Sequence, residues 1–409
     1  MVKKEKVFLM MFRRFFYQKD IQILFRLFLI LIAFFFLLPS KTWRNNFFYF
    51  FILIPGLCVV WRNDLSVLLK SKIYGLSIIL CIYLFLSCLW STGVDAGELL
   101  ANLKDLLSQI MFITLMVLLF VKQNNNLKIL LYILFGAAAT GACLSIVDGI
   151  LNHLIPNGRL FLWGSVPHPI LGAGMYCIGI CAGLFCINND GKDTTYLKYV
   201  EIVGLIIVCL TVLLSKSRGP ILSLYFMFML YAGTRKSKKG VLLLLVLPIT
   251  VYCIAIWTGS GLISTVIERK FYRFEMWSVE LMRMKGHLVF GNGILTDDNL
   301  FIHSGIEYIH PHSVYIATIF YGGIFAGCLL FSILLFSFHT AIRWFVHTKD
   351  ALCVCMLLLA TLLVATDGSK ILTKPNVIWL IFWLPICFCI IAELRLPGKA
   401  ECTLLDQNG

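Results

Sequence analysis

Apolar blocks of roughly 17–25 residues recur along the chain, each long enough as a helix to cross about 30 Å of hydrocarbon. Short polar connections separate them. They predict twelve spans, over about 21–39, 47–61, 73–90, 106–121, 129–147, 169–187, 199–214, 220–234, 240–257, 313–337, 351–366 and 376–392. Pro55 is placed to bend the short second span. Gly322, Gly323 and Gly327 in the tenth are small residues that permit close helix packing. The predicted fold is an all-α polytopic integral membrane protein. Its parts are nine spans over 1–257, a large loop over 258–312, three spans over 313–392 and a tail over 393–409.

The large loop breaks the pattern. It carries Arg269, Arg273, Arg283, His287, His303, His310 and His312, and no cysteine. From Ile267 to Phe290 the spacing is helical. At about 100° per residue, Phe274, Trp277, Leu281, Met284 and Leu288 share one stripe, with Arg269, Arg273, Glu280, Arg283 and His287 on an adjacent arc. Such a helix lies along a membrane surface, apolar side down. Gly291-Asn292-Gly293 is expected to end it, glycine being common just past a helix C-terminus. Thr296 to Tyr308 is polar and acidic and reads as irregular. The tenth span is then predicted to begin just after Pro311, with His312 in its first turn near the positive end of the helix dipole, a setting that suits a neutral general base.

Composition removes the soluble classes. The chain is 60% hydrophobic and 14% charged, with a mean hydropathy of +0.89, whereas a soluble domain is about a quarter charged. A net charge of +14 would suit a nucleic-acid binder. Here, however, the basic residues sit in short clusters between apolar blocks, as orientation signals do, so no nucleic-acid partner is expected. Placing the N-terminus inside gives the cytoplasmic segments 21 of the 35 Lys and Arg. Both termini then lie in the cytoplasm and the large loop on the far side of the membrane. The basic N-terminus precedes an apolar segment too long for a cleavable signal and without a small-residue cleavage site. The 15 cysteines fall almost entirely in apolar blocks, where cysteine is a small buried hydrophobe, and Cys353 with Cys355 does not read as a metal site.

Against that charge bias, a few basic groups stand at the outer face. Ser215-Lys216-Ser217-Arg218-Gly219-Pro220 puts two cations into a tight turn between the seventh and eighth spans, and Lys104 stands at the outer start of the fourth. Lys104 also reads as a snorkelling lysine paired with Asp105. His310 and His312 flank Pro311, and His168-Pro169 repeats the local pattern at the start of the sixth span. These histidines also read as interfacial groups bonded to backbone. Functionally, arginines at a membrane edge grip a phosphate bidentately, and a nearby histidine removes a proton from a hydroxyl. A lipid-linked pyrophosphate fits that set. No Asp/Glu cluster stands ready for Mg²⁺, so arginine would meet the leaving-group charge.

Three blocks resemble the bacterial O-antigen ligase family. Ser217-Arg218-Gly219 is similar to its Ser-Arg-Gly turn. Arg273-Phe274-Glu275-Met276-Trp277 with Gly291-Asn292-Gly293 is similar to its Arg-x-x-x-Trp segment and Gly-x-Gly. His310-Pro311-His312-Ser313, followed by Gly322-Gly323, is similar to its histidine at the start of a Gly-containing span. The blocks cover roughly residues 200–335, and Ser313 stands where many members have Asn. The resemblance implies a periplasmic site in the inner membrane and metal-independent inverting transfer, without cofactor, from undecaprenyl-pyrophosphate-linked O-polysaccharide to lipid A–core. It implies Arg218 and Arg273 as donor-binding, Lys104 and Lys216 as further phosphate contacts, and His312 as the base. His310, Trp277, Ser313 and His168 are secondary candidates. An O-antigen polymerase of the same superfamily is the nearest alternative, although it would more often show two sizeable outer loops. A flippase for lipid-linked sugars would need buried mid-membrane charges and repeat symmetry, which the sequence does not display.

Overall fold

The computed structural model describes residues 21–62, 65–92, 95–121, 124–155, 159–166, 168–189, 195–238, 240, 242, 262–297, 300–301, 307–308 and 311–396. Helices occupy eleven of the twelve predicted spans, and the ninth, 240–257, lies almost wholly outside the described residues. They are α1 (Ile21–Leu37), α2 (Lys41–Val60), α3 (Lys72–Trp90), α4 (Ala96–Val121), α5 (Asn124–Leu151), α6 (Pro169–Asn189), α7 (Thr195–Leu214) and α8 (Arg218–Thr234). In the large loop lies α9 (Leu262–Arg283), followed by α10 (Val314–Thr348), α11 (Leu352–Thr366) and α12. The last is a π-helical turn, Trp379–Trp383, continued by Leu384–Arg395. Among the described residues, seven helices, α2 to α7 and α10, are long and apolar enough to cross a membrane. This is a multi-pass membrane protein. A two-residue antiparallel ladder, Leu300–Phe301 with Glu307–Tyr308, interrupts the helical pattern inside the large loop.

Several helices outrun the apolar blocks that predicted them. Ser40 caps α2, its Oγ accepting the Trp43 N–H at 3.3 Å, and Asp95 Oδ1 accepts the Glu98 N–H at 2.7 Å at the start of α4. Lys41, Arg44 and Lys104 therefore lie within helices rather than in loops or at a span edge. A hydrophobic block marks hydrocarbon thickness, and a capped helix continues past it. Near Pro55 the chain forms a π-helical turn over Phe48–Leu53, with the Ile54 N–H bonded to Tyr49 O. The wider turn accommodates the donor that proline lacks.

The centre of the bundle is α12, in which every residue from Trp379 to Ala392 is buried. It packs against α3, α4, α10 and α11. Helix α6 is buried between α5, α7, α8 and α11. A Cβ added at its Gly179 would stand 2.4 Å from Ala138 Cβ of α5, so these two helices approach closely. The rim helix α7 exposes Val203, Ile206, Leu210 and Leu213, an apolar surface that hydrocarbon would cover.

Helix α10 is broken at Gly323 (φ 68°, ψ −170°). The Asn292 and Gly293 N–H groups donate to Phe320 O and Tyr321 O at 2.9 and 2.8 Å, and the Ile324 and Phe325 N–H groups donate to Leu288 O and Val289 O at 2.9 and 3.3 Å. The loop thus supplies the partners that the break removes. A Cβ on Gly291 would lie 2.4 Å from Gly323 N, and one on Gly323 would lie 2.1 Å from Val289 O. Two expectations are corrected here. Gly291-Asn292-Gly293 does not cap the loop helix, which stops earlier at Arg283, and Gly323 breaks a helix rather than only easing its packing.

Candidate active site

Four helix ends meet where the large loop joins the bundle, termed the outer end. Helix α11 stops at Thr366, and Asp367 follows in extended backbone. A carboxylate there faces the negative end of the helix dipole, and this one is only 1% exposed. Such burial is sustained only by close partners. His312 Nδ1 lies 2.8 Å from Oδ1, the Gly368 N–H donates to Oδ1 at 2.9 Å, and His168 Nδ1 lies 3.3 Å from Oδ2. Gly368 has φ +123°, which lets the chain fold back against Val314 at the start of α10.

His312 does not sit in the first turn of α10. Ser313 is the N-cap residue in extended backbone and Val314 begins the helix, while His312 precedes the cap with φ 50°. A left-handed non-glycine residue costs roughly 1–2 kcal/mol, and here that conformation accompanies an imidazole turned to Asp367. With Asp367 ionised, Nδ1–H donates to the carboxylate and Nε2 is the basic nitrogen. Ser313 is buried and makes no side-chain cap bond, so its hydroxyl does not take the capping role that its position suggests. His168, 42% exposed, is held less closely. Burial pushes its imidazole below the usual range. Asp367 pulls the other way, while His312, Arg159 and Lys41 add to the downward push.

The start of α8 is built into the same corner. Ser217 Oγ donates to Pro169 O at 2.9 Å, joining the turn before α8 to the start of α6 beside His168. Arg159 clasps that turn, Nε donating to Ser215 O at 2.9 Å and Nη2 to Ser217 Oγ at 3.1 Å. Lys216 takes a left-handed conformation (φ 51°) in the turn. A Cβ on Gly219 would stand 2.5 Å from Thr366 Oγ1, so the Ser-Arg-Gly turn abuts the residue before Asp367. Arg218, the first residue of α8, and Lys216 are both exposed at this end.

Helix α9 closes on the corner through Trp277, whose indole N–H donates to Pro311 O at 3.0 Å, one residue before His312. Arg273 is half-buried four residues earlier, on the same side of the helix as Trp277. Of the predicted stripe, Phe274, Leu281 and Leu288 are exposed, Trp277 is half-buried and Met284 is buried, while Glu280 of the charged arc is buried with Met276. Periodicity finds an apolar side but not whether protein or lipid covers it. His310, His303 and the side chain of Arg269 lie outside the described residues. Lys104 belongs to a different set: its ammonium lies 3.8 Å from the centre of the Tyr49 ring, beside Asp105. Among the described residues, no three His, Cys, Asp or Glu side chains are arranged to hold a metal ion.

Neither Asp367 nor Arg159 emerges from the sequence as a site residue. A signal for Asp367 was present, because a lone acid at the outer end of a nearly charge-free span is costly without a role. Arg159 carried no comparable signal.

Fold and corner together define a multi-pass helical membrane protein that presents an oriented histidine beside exposed arginine at one end. The chain is similar to the O-antigen ligase of Pseudomonas aeruginosa, 24% identical over 317 residues that cover 74% of this chain and 73% of that protein. The family resemblance read from the motifs is thus supported by a relative of that name. No protein-family model matches the chain.

Proposed function

We propose that the chain is an O-antigen ligase acting in lipopolysaccharide biosynthesis. It transfers O-polysaccharide from undecaprenyl pyrophosphate to a sugar hydroxyl of lipid A–core at the periplasmic face of the inner membrane. In this reading twelve spans place both termini in the cytoplasm and 258–312 in the periplasm. His312 Nε2 removes the acceptor hydroxyl proton as that oxygen forms a bond to the anomeric carbon, with inversion. The bond from that carbon to the pyrophosphate oxygen breaks, and its electron pair leaves with the pyrophosphate. Asp367 stabilises the imidazolium that results. Arg218 and Arg273, with Lys216 beside them, meet the charge of the leaving group without metal.

The observation that carries this reading is His312 Nδ1 at 2.8 Å from a buried carboxylate, in a corner that also holds the Ser-Arg-Gly turn. Its test is deletion of the gene, complementation with wild type or His312→Ala, and lipopolysaccharide gels with the undecaprenyl-linked pool blotted alongside. Complete core lacking O-polysaccharide, with polymer accumulating on undecaprenyl pyrophosphate and only wild type restoring transfer, is the expected result. Core bearing a single repeat unit would instead mean a polymerase. A normal ladder would overturn both.

A further inference from the structure

Away from the His312 corner, three lysines from two elements converge at the outer end. The Asp105 carboxylate on α4 accepts the Lys374 backbone N–H and lies in the field of Lys374, Lys104 and Lys370. The Lys370 ammonium lies 5.0 Å from the centre of the Tyr321 ring on α10, just before the break in that helix. Arg44 of α2 also holds the segment, Nη2 donating to Pro375 O at 2.5 Å. Lys104 and Lys374 are exposed and Lys370 is half-buried. Among the described residues, three ammonium groups thus act on one carboxylate, a net positive patch at the end where the large loop joins the bundle. Their mutual repulsion is relieved by an anion.

The segment that bears two of these lysines begins at Asp367. At about 3.3–3.6 Å per residue, Lys370 and Lys374 stay within about 11 and 25 Å of it. Lysine is a compact point charge suited to a terminal phosphate, whereas the forked guanidinium groups of Arg218 and Arg273 suit the pyrophosphate. We infer that Lys104, Lys370 and Lys374 form a second anion site that binds a phosphate on the headgroup of the acceptor glycolipid and holds that lipid beside His312. This assignment moves Lys104 out of the donor set. The identity of the lipid rests on the ligase reading; the lysine cluster itself does not.

The test is native mass spectrometry of the full chain in detergent, offered lipid A–core either intact or after phosphatase treatment, with phosphatidylglycerol as a third probe. Wild type is expected to retain the intact glycolipid about fivefold or more over the dephosphorylated one and over phosphatidylglycerol. The Lys104→Gln/Lys370→Gln/Lys374→Gln variant is expected to lose that preference, and the corresponding triple arginine variant to keep it. In transfer assays the glutamine variant should raise KM for the acceptor and leave KM for the donor unchanged. Equal retention of all three lipids by wild type, preference surviving in the glutamine variant, or a rise in donor KM would each overturn the proposal. A phosphate preference without any transfer by wild type would remove the ligase reading and leave the lysine site standing.

Discussion

His168 and His312 reach the same carboxylate through its two oxygens, and they are held differently. His312 sits 2.8 Å from Oδ1 just before a helix cap, in a backbone conformation that few side chains adopt, while His168 stands 3.3 Å from Oδ2 and is more exposed. In the sequence both are histidines beside a proline at the start of an apolar block. The difference teaches that the block start is only a location. The fixed backbone and the short bond to a buried acid are what orient an imidazole for base catalysis.

Removing the favoured partner should therefore cost most. His312→Ala or Asp367→Asn is expected to lower transfer by roughly 10²–10⁴-fold with the protein still inserted, measured as product formed per unit of membrane protein. Next come the arginines of the corner. Arg218→Ala or Arg273→Ala should reduce transfer by about 10²-fold, with lysine restoring only part because a point charge cannot reproduce the fork. His168→Gln should cost less than about tenfold, since Asp367 keeps its contact with His312. If it cost as much as His312→Ala, the asymmetry between the two histidines would be wrong.

The smallest effect concerns pH. The His168 imidazole lies below its usual range in the folded protein, so the unfolded chain binds more protons as pH falls below about 6.5. Stability from this group is present at neutral pH and is lost on acidification. Thermal unfolding in detergent between about pH 7 and 5 should show a decline that His168→Gln makes shallower.

The residues that the family resemblance named are largely the ones the fold brings to one end: His312, Arg218, and Arg273 through Trp277 beside it. Long apolar blocks made the helical architecture legible, because hydrocarbon thickness leaves a mark in a single sequence. Three things were not legible. The start of α4 needed its cap at Asp95 rather than its apolar block, which is why Lys104 looked like an edge residue. The docking of Gly291 on Gly323 is a backbone contact between segments about thirty residues apart, and no local pattern encodes it. Asp367 acquires its role only when α11 ends against α8 and α10, and spacing along the chain cannot announce that meeting.

The most direct test measures kcat/KM for transfer by the purified chain as wild type, His312→Ala, Asp367→Asn and the double variant. If Asp367 acts through His312, each single change removes most of the rate and the double variant is no slower than His312→Ala alone. Losses that multiply independently, or a His312→Ala protein that transfers at the wild-type rate, would contradict the histidine–carboxylate base.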